Sequence, residues 1–270
     1  MMWKQVVAAL LSGIASLSSC VPTADADPSP VAETAPAPWW SPAVGATFHI
    51  QYTDKVDFNH TVDVYNLDWE RTKTADVQGL TDRGVAAVCY LNAGAYEDFR
   101  PDSDLFPERV LGTELDGWPD ERWLDVRQID TLMPIMTARM DVCKSKGFVA
   151  IDPDNTDGWI QDSGFAISRQ DQIAYQRALA NAAHKRGLGI GLKNNPSQID
   201  ALTDVVDFAV NEECVAFREC DLYKNFLAGG KAVFNIEYRG TTATVCPGRP
   251  DGMSTVITTL ALDGESVACS

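Results

Sequence analysis

Basic side chains are scarce in this chain. Lys and Arg number 22 against 38 Asp and Glu, which gives a formal charge of −16. A duplex nucleic-acid binder needs a basic face to neutralise phosphates, so nucleic acid is excluded as a partner. Anionic membrane surfaces are disfavoured for the same reason. Histidine is scarcer still. His49, His60 and His184 lie near no cysteine and at no metal-ligand spacing, and no CxxC is present, which argues against zinc. No Gly-x-Ser-x-Gly elbow occurs, against a serine hydrolase of the usual kind. Gln51-Tyr52-Thr53-Asp54 ends the first strand-like segment without a Gly-rich phosphate turn, against a dinucleotide-binding sheet. The N-terminal apolar run, Val6 to Leu17, is too short to span a bilayer. What is present is 45 % hydrophobic residues over 270 positions, enough for a real core and for one large domain or two small ones.

Val6 to Leu17 fits the apolar region of an export signal, with Lys4 ahead of it. Leu17-Ser18-Ser19-Cys20 resembles a lipoprotein box, so residues 1–20 read as a signal ending at a lipidated Cys20. Ala24-Asp25-Ala26 offers an alternative cleavage site and plain secretion. Membrane association is expected only through that lipid. Residues 21–38, rich in Pro and Ala, read as an extended tether, and Trp39 and Trp40 open a domain over 39–270. Six cysteines remain in an exported chain, which suggests up to three disulfides among fifteen possible pairings. Cys214 with Cys220 is the local pair, Cys246 with Cys269 would pin the tail, and Cys89 with Cys143 is left over.

Eight short apolar or alternating segments follow the tether: Phe48–Tyr52, Val62–Asp68, Val85–Leu91, Phe148–Asp152, Leu188–Leu192, Phe208–Asn211, Ala232–Ile236 and Thr255–Leu260. They read as buried parallel strands. Helix signals lie between most of them. Ile129, Leu132, Met133, Met136, Met140 and Cys143 recur at spacings of three and four, with Gly147 as a stop. Ser168-Arg169-Gln170-Asp171 opens a second helix like a capping box, and Pro196 can begin a third. This alternation over some 230 residues predicts an α/β fold, a (β/α)₈ TIM-like barrel. The first two strands are too close for a crossover helix, and residues 92–147 are long enough to hold an inserted lid.

Active sites of such barrels lie at the C-terminal strand ends. Those ends carry Gln51, Asp68, Tyr90 with Asn92, Asp152 with Asp154 and Asn155, Lys193 with Asn194, Glu212 with Glu213, and Glu237 with Tyr238. Paired carboxylates suit glycoside hydrolysis, one as acid and the other as nucleophile or base. Each piece also has a plainer reading. The Asp-Pro-Asp-Asn run could be a turn, Glu212 and Glu213 could be exposed caps, Glu237 could pair with Arg239 or Lys193, and Lys193-Asn194-Asn195 could be a loop. Their joint placement at strand ends is the stronger signal, because buried acids without a task are costly.

Val149-Ala150-Ile151-Asp152-Pro153-Asp154-Asn155-Thr156-Asp157-Gly158-Trp159 resembles the signature of glycoside hydrolase family 114, the endo-α-1,4-polygalactosaminidases and their relatives. So do Cys89 to Ala95, Gly191 to Asn195, Asn211 to Cys214 and Phe234 to Tyr238, in the family's order from about Trp40 to about Asp263. The resemblance implies a barrel that cleaves α-1,4-linked galactosamine-containing polysaccharide, a cationic or neutral amino-sugar polymer, with no cofactor and no metal. It places the catalytic pair on Asp154 and Glu212, with Asp152 a competitor for the first and Glu237 a further runner-up. Gln51, Asp68, Tyr90, Asn92, Asn155, Lys193, Asn194 and Tyr238 are then expected to line the cleft, with Trp118 as a stacking platform. Two other readings stay open: a polysaccharide-binding lipoprotein without catalysis, and a glycosidase of another sugar.

Overall fold

A computed structural model describes residues 39–269. The expected signal, the expected lipidation of Cys20 and the expected tether fall on residues 1–38, outside the described residues.

All eight expected strands form one barrel sheet. They are β1 (Phe48–Gln51), β2 (Val64–Asp68), β3 (Ala86–Asn92), β7 (Ala150–Asp154), β8 (Gly189–Lys193), β9 (Phe208–Glu212), β10 (Val233–Glu237) and β11 (Ser254–Thr258). Neighbours pair in parallel in that order, and β12 (Ser266–Ala268) adds an antiparallel edge on β11. Between β3 and β7 lies a separate antiparallel sheet of β4 (Ala95–Glu97), β5 (Leu111–Leu115) and β6 (Trp118–Leu124). This is the insertion expected over residues 92–147. Between β11 and β1 the seam is closed by loop contacts. Tyr52 N–H donates to Leu262 O at 3.0 Å, and Gln51 Nε2 donates to Asp263 O at 2.9 Å.

Helices α1 (Thr74–Thr81), α2 (Ile129–Lys146) and α3 (Arg169–Lys185) pack outside the first half of the barrel. Gly147 ends α2 at φ 98°, a conformation that favours glycine. Ser168 and Asp171 form a reciprocal capping box on α3, so Asp serves here as well as the usual Glu. The second half carries only short helices, α4 (Ile199–Leu202), α5 (Cys214–Phe217), α6 (Lys224–Ala228) and α7 (Thr242–Val245). No helix joins β1 to β2, as their spacing required. Among the described residues no helix is long and apolar enough to cross a membrane.

Strand period decides which residues face the barrel axis. Phe48, Ile50, Val64, Val88, Ala150, Phe208, Val210, Phe234, Ile236 and Val256 form one buried cluster inside it. Their neighbours one position along, such as Leu67, Cys89, Ile151 and Ile190, pack against the helices. Gly191 faces inward, where a Cβ would approach the Phe208 ring to 2.9 Å. At the N-terminal end, Trp40 packs edge-on to Phe208, and its carbonyl would meet a Cβ on Gly189 at 2.2 Å. Trp39 stacks on His184 at 3.7 Å and donates to Asp207 at 2.8 Å.

The three disulfides are Cys89–Cys143, Cys214–Cys220 and Cys246–Cys269. Cys89–Cys143 ties β3 to α2 across 54 residues and both sulfurs are fully buried. Replacing both cysteines with Ala is expected to lower unfolding free energy by about 2–5 kcal/mol. Denaturant titration measures this, and a change below about 1 kcal/mol would contradict it.

Candidate active site

The inward-facing residues at the C-terminal strand ends converge in a cleft of about 960 Å³. Asp154 ends β7, Lys193 ends β8 and Glu212 ends β9. Each is followed by a residue in the left-handed region: Asn155 at φ 57°, Asn194 at φ 48° and Glu213 at φ 59°. Asn tolerates this conformation, whereas a Glu there costs about 1–2 kcal/mol. Such strain collects at functional sites. The turn after β7 is also crowded, since a Cβ on Gly94 would lie 1.7 Å from Asn155 O.

Lys193 is the hub. Its side chain is 1 % exposed, and Nζ lies 3.2 Å from Asp154 Oδ1, 3.8 Å from Glu212 Oε1 and 4.0 Å from Asp152 Oδ2. Burial alone would lower the lysine's pKa, but Asp154, Glu212 and Asp152 outweigh it and the pKa is raised. Lys193 therefore stays charged and neutralises part of an acid cluster.

Asp154 Oδ2 accepts from Tyr90 Oη at 2.8 Å, and Oδ1 accepts from Asn155 N–H at 2.8 Å. Glu212 Oε2 accepts from Asn194 Nδ2 at 3.0 Å, while Oε1 accepts from the Tyr238 hydroxyl. Burial and the neighbouring carboxylates push the Tyr90 and Tyr238 hydroxyls up, so both remain donors. Asp154 and Glu212 thus stand on either side of one ammonium, each oriented by two or more donors. The distances to Nζ cap the separation of their nearer oxygens at the sum of the two.

Tyr90, Asn155, Asn194, Tyr238 and Trp118 line the cleft. Trp118, 49 % exposed on the inserted sheet, offers an open aromatic face. Four other expected residues are placed differently. Asp152 is fully buried beneath the cleft, accepting from Asn66 Nδ2 at 2.8 Å and Tyr52 Oη at 3.2 Å. Burial raises its pKa, against the pull of Lys193. Glu237 has the outward strand parity, and its Oε1 accepts from Val215 N–H and Asn235 Nδ2 behind the sheet. Gln51 also faces outward, and its amide bonds Thr53 O, Lys55 O and Asp263 O. Asn92 is fully buried as a brace, donating to Glu121 and accepting from Ala95 N–H. Asp68 does border the cleft, but both its oxygens are held by Arg100 at 3.1 and 2.7 Å. Asp154 and Glu212 are the more open carboxylates, 18 % and 26 % exposed, where Asp68 and Asp152 are at most 5 %.

A profile of glycoside-hydrolase family GH114 matches residues 29–270. The chain belongs to family GH114. It is a glycoside hydrolase with the family's TIM-like barrel. Aspergillus fumigatus Ega3, solved in complex with galactosamine, is 35 % identical, with a TM-score of 0.81 over 85 % of this chain and 97 % of that one. The glycoside hydrolase domain of Pseudomonas aeruginosa PelA shares the fold at 17 % identity, with a TM-score of 0.61 over 82 % of this chain and 98 % of that one. A variant of that domain gives 18 % and 0.62. No curated protein sequence matches the chain.

The GH114 cleft has lining residues that strand ends alone do not reveal. Tyr52 stacks on Tyr90 at 4.0 Å. Glu97, Phe99, Arg100 and Glu121 come from the inserted sheet and its loops, and Asp157 comes from the turn after β7. Burial raises the pKa of Asp157, with Asp154 adding to it. Asp157 lies within the signature run and could have been noted there. The inserted sheet left only its length as a signal. Among the described residues no group of His, Cys, Asp or Glu side chains converges in a way that could hold a metal.

Proposed function

We propose that this GH114 chain is an exported endo-glycosidase that cleaves α-1,4-linked galactosamine-containing polysaccharide. The observation that carries the reading is the placement of Asp154 and Glu212 on either side of Lys193 Nζ in an open, acidic cleft. The galactosamine complex of Ega3, 35 % identical, supports the amino sugar.

Asp154 is assigned as nucleophile. Tyr90, Asn155 N–H and Lys193 satisfy both of its oxygens and aim it from the barrel rim. Glu212 is assigned as acid/base, farther from Lys193 and more exposed, 26 % against 18 %. A retaining route is assigned to this pair, which requires carboxyl groups about 5–5.5 Å apart where inversion requires about 6.5–9.5 Å. Asp154 attacks the anomeric carbon while Glu212 protonates the departing glycosidic oxygen. Glu212 then takes a proton from water, which displaces Asp154 from the sugar. The test is hydrolysis of partly deacetylated α-1,4-galactosaminan by the natural enzyme, Asp154→Asn and Glu212→Gln. Full activity in both variants would remove the assignment.

A polymer with free amines is cationic near neutral pH, and an acidic groove attracts it less as salt rises. Raising ionic strength is expected to increase KM for the deacetylated polymer by a larger factor than for the acetylated one. Equal factors, measured as initial rates across a salt series, would contradict electrostatic capture.

A further inference from the structure

Glu121 is an acid of the cleft wall that the mechanism leaves unused. It sits on β6 directly across the antiparallel ladder from Glu97 on β4. Like charges facing each other across strands are destabilising. Glu97 is compensated, because Arg100 Nε and Nη2 each lie 2.8 Å from one of its oxygens. Arg100 also holds both oxygens of Asp68, so its donors are committed. Glu121 receives only an amide hydrogen, from Asn92 Nδ2 at 3.0 Å, and makes no ion pair among the described residues.

The same amide links Glu121 to the reacting end of the cleft. Asn92 Oδ1 accepts from Asn155 Nδ2 at 3.2 Å, and Asn155 follows Asp154. The charged or titratable groups facing Glu121 are Glu97 and Arg100 from the inserted segment, Asp154 on β7 and the Tyr90 hydroxyl on β3. Burial first, then Glu97 and Asp154, push its carboxyl up to about 8, and Arg100 and Asn92 offset only part of this. A cation set beside Glu121 would relieve both the like-charge repulsion and the uncompensated burial. Among the described residues the nearest cation, Arg100, is committed to Glu97 and Asp68.

The geometry points to Glu121 as a specificity-determining residue that binds the free ammonium of a galactosamine unit at the cleft wall, distinguishing it from an N-acetylated unit. This rests on the reading of the cleft as an amino-polysaccharide site. An acetamido group carries no charge to meet the carboxylate, so the discrimination is electrostatic.

The experiment measures calorimetric binding of a galactosamine trisaccharide and its N-acetylated counterpart to Asp154→Asn, with and without Glu121→Gln. Glu121→Gln is expected to weaken the free-amine trimer about tenfold, as for a lost charge-assisted bond, and the acetylated trimer by less than about twofold. Below its pKa, Glu121 must release a proton to bind the ammonium. The parent's affinity for the amine should therefore rise from pH 5 to pH 7 with buffer-dependent heat, and Glu121→Gln should flatten both. Equal losses for the two sugars, no loss, or no binding of the amine trimer by the parent would overturn the assignment. Hydrolysis by the natural enzyme is read separately. Glu121-dependent binding without cleavage would keep this inference and remove the enzymatic one.

Discussion

Asp154→Asn and Glu212→Gln are each expected to lower kcat on galactosaminan by about 10²–10⁴ or more, the range set by losing a positioned acid, base or nucleophile. Both replacements keep side-chain shape. Asp154→Asn would leave Lys193 paired with Glu212 and Asp152, and Glu212→Gln would leave it paired with Asp154 and Asp152. Folding should therefore survive, and circular dichroism melting checks this. The roles separate by chemical rescue. With an activated substrate and azide, Glu212→Ala should give a glycosyl azide of retained configuration, because Asp154 still forms the covalent intermediate. Asp154→Ala should give the inverted azide, by direct attack. The opposite pair of products would exchange the two roles.

Lys193→Met is expected to lower both stability and activity. The ammonium is buried among three carboxylates, and removing one partner of a buried ionic group costs about 3–5 kcal/mol. In a domain of this size that amounts to roughly 6–20 °C in Tm. The pH dependence identifies the cause. The lysine's pKa is raised on folding, so its stabilisation is present at all pH values below the unfolded pKa and is lost only at strongly alkaline pH. Asp152 already has a raised pKa, so its ionisation opposes folding as pH rises, and without Lys193 this opposition grows. The Tm deficit of Lys193→Met should therefore be smaller at pH 4 than at pH 7. A deficit independent of pH would mean lost packing and not lost charge compensation.

The eight barrel strands were legible because each is a short apolar run closed by a polar residue, and burial on both faces leaves that mark. The candidate site was legible for the same reason. Asp154, Lys193 and Glu212 end apolar strands and point inward, and Tyr90 and Tyr238 share that inward phase near the ends of β3 and β10. Gln51 and Glu237 end strands too, but one position out of phase. Alternation from Ile50 and Ile236 already placed them behind the sheet. Asp152 and Asn92 have the inward phase but are buried: Asp152 lies one inward position below Asp154, and Asn92, level with Asp154, is held by Glu121 and Ala95 of the inserted sheet. Arg100 and Glu121 could not be found this way, because their contacts cross from an insertion to the barrel and no local spacing encodes that.

Trp39 and Trp40 dock at the N-terminal ends of β8 and β9, against Gly189, Phe208, His184 and Asp207, while Lys193 and Glu212 open the cleft at the opposite ends of the same two strands. For anyone wishing to mount this enzyme on a bead, a particle or a biosensor chip, the choice of coupling point follows. Attachment ahead of Trp39 joins the protein by the floor of its barrel and leaves the mouth facing the bulk.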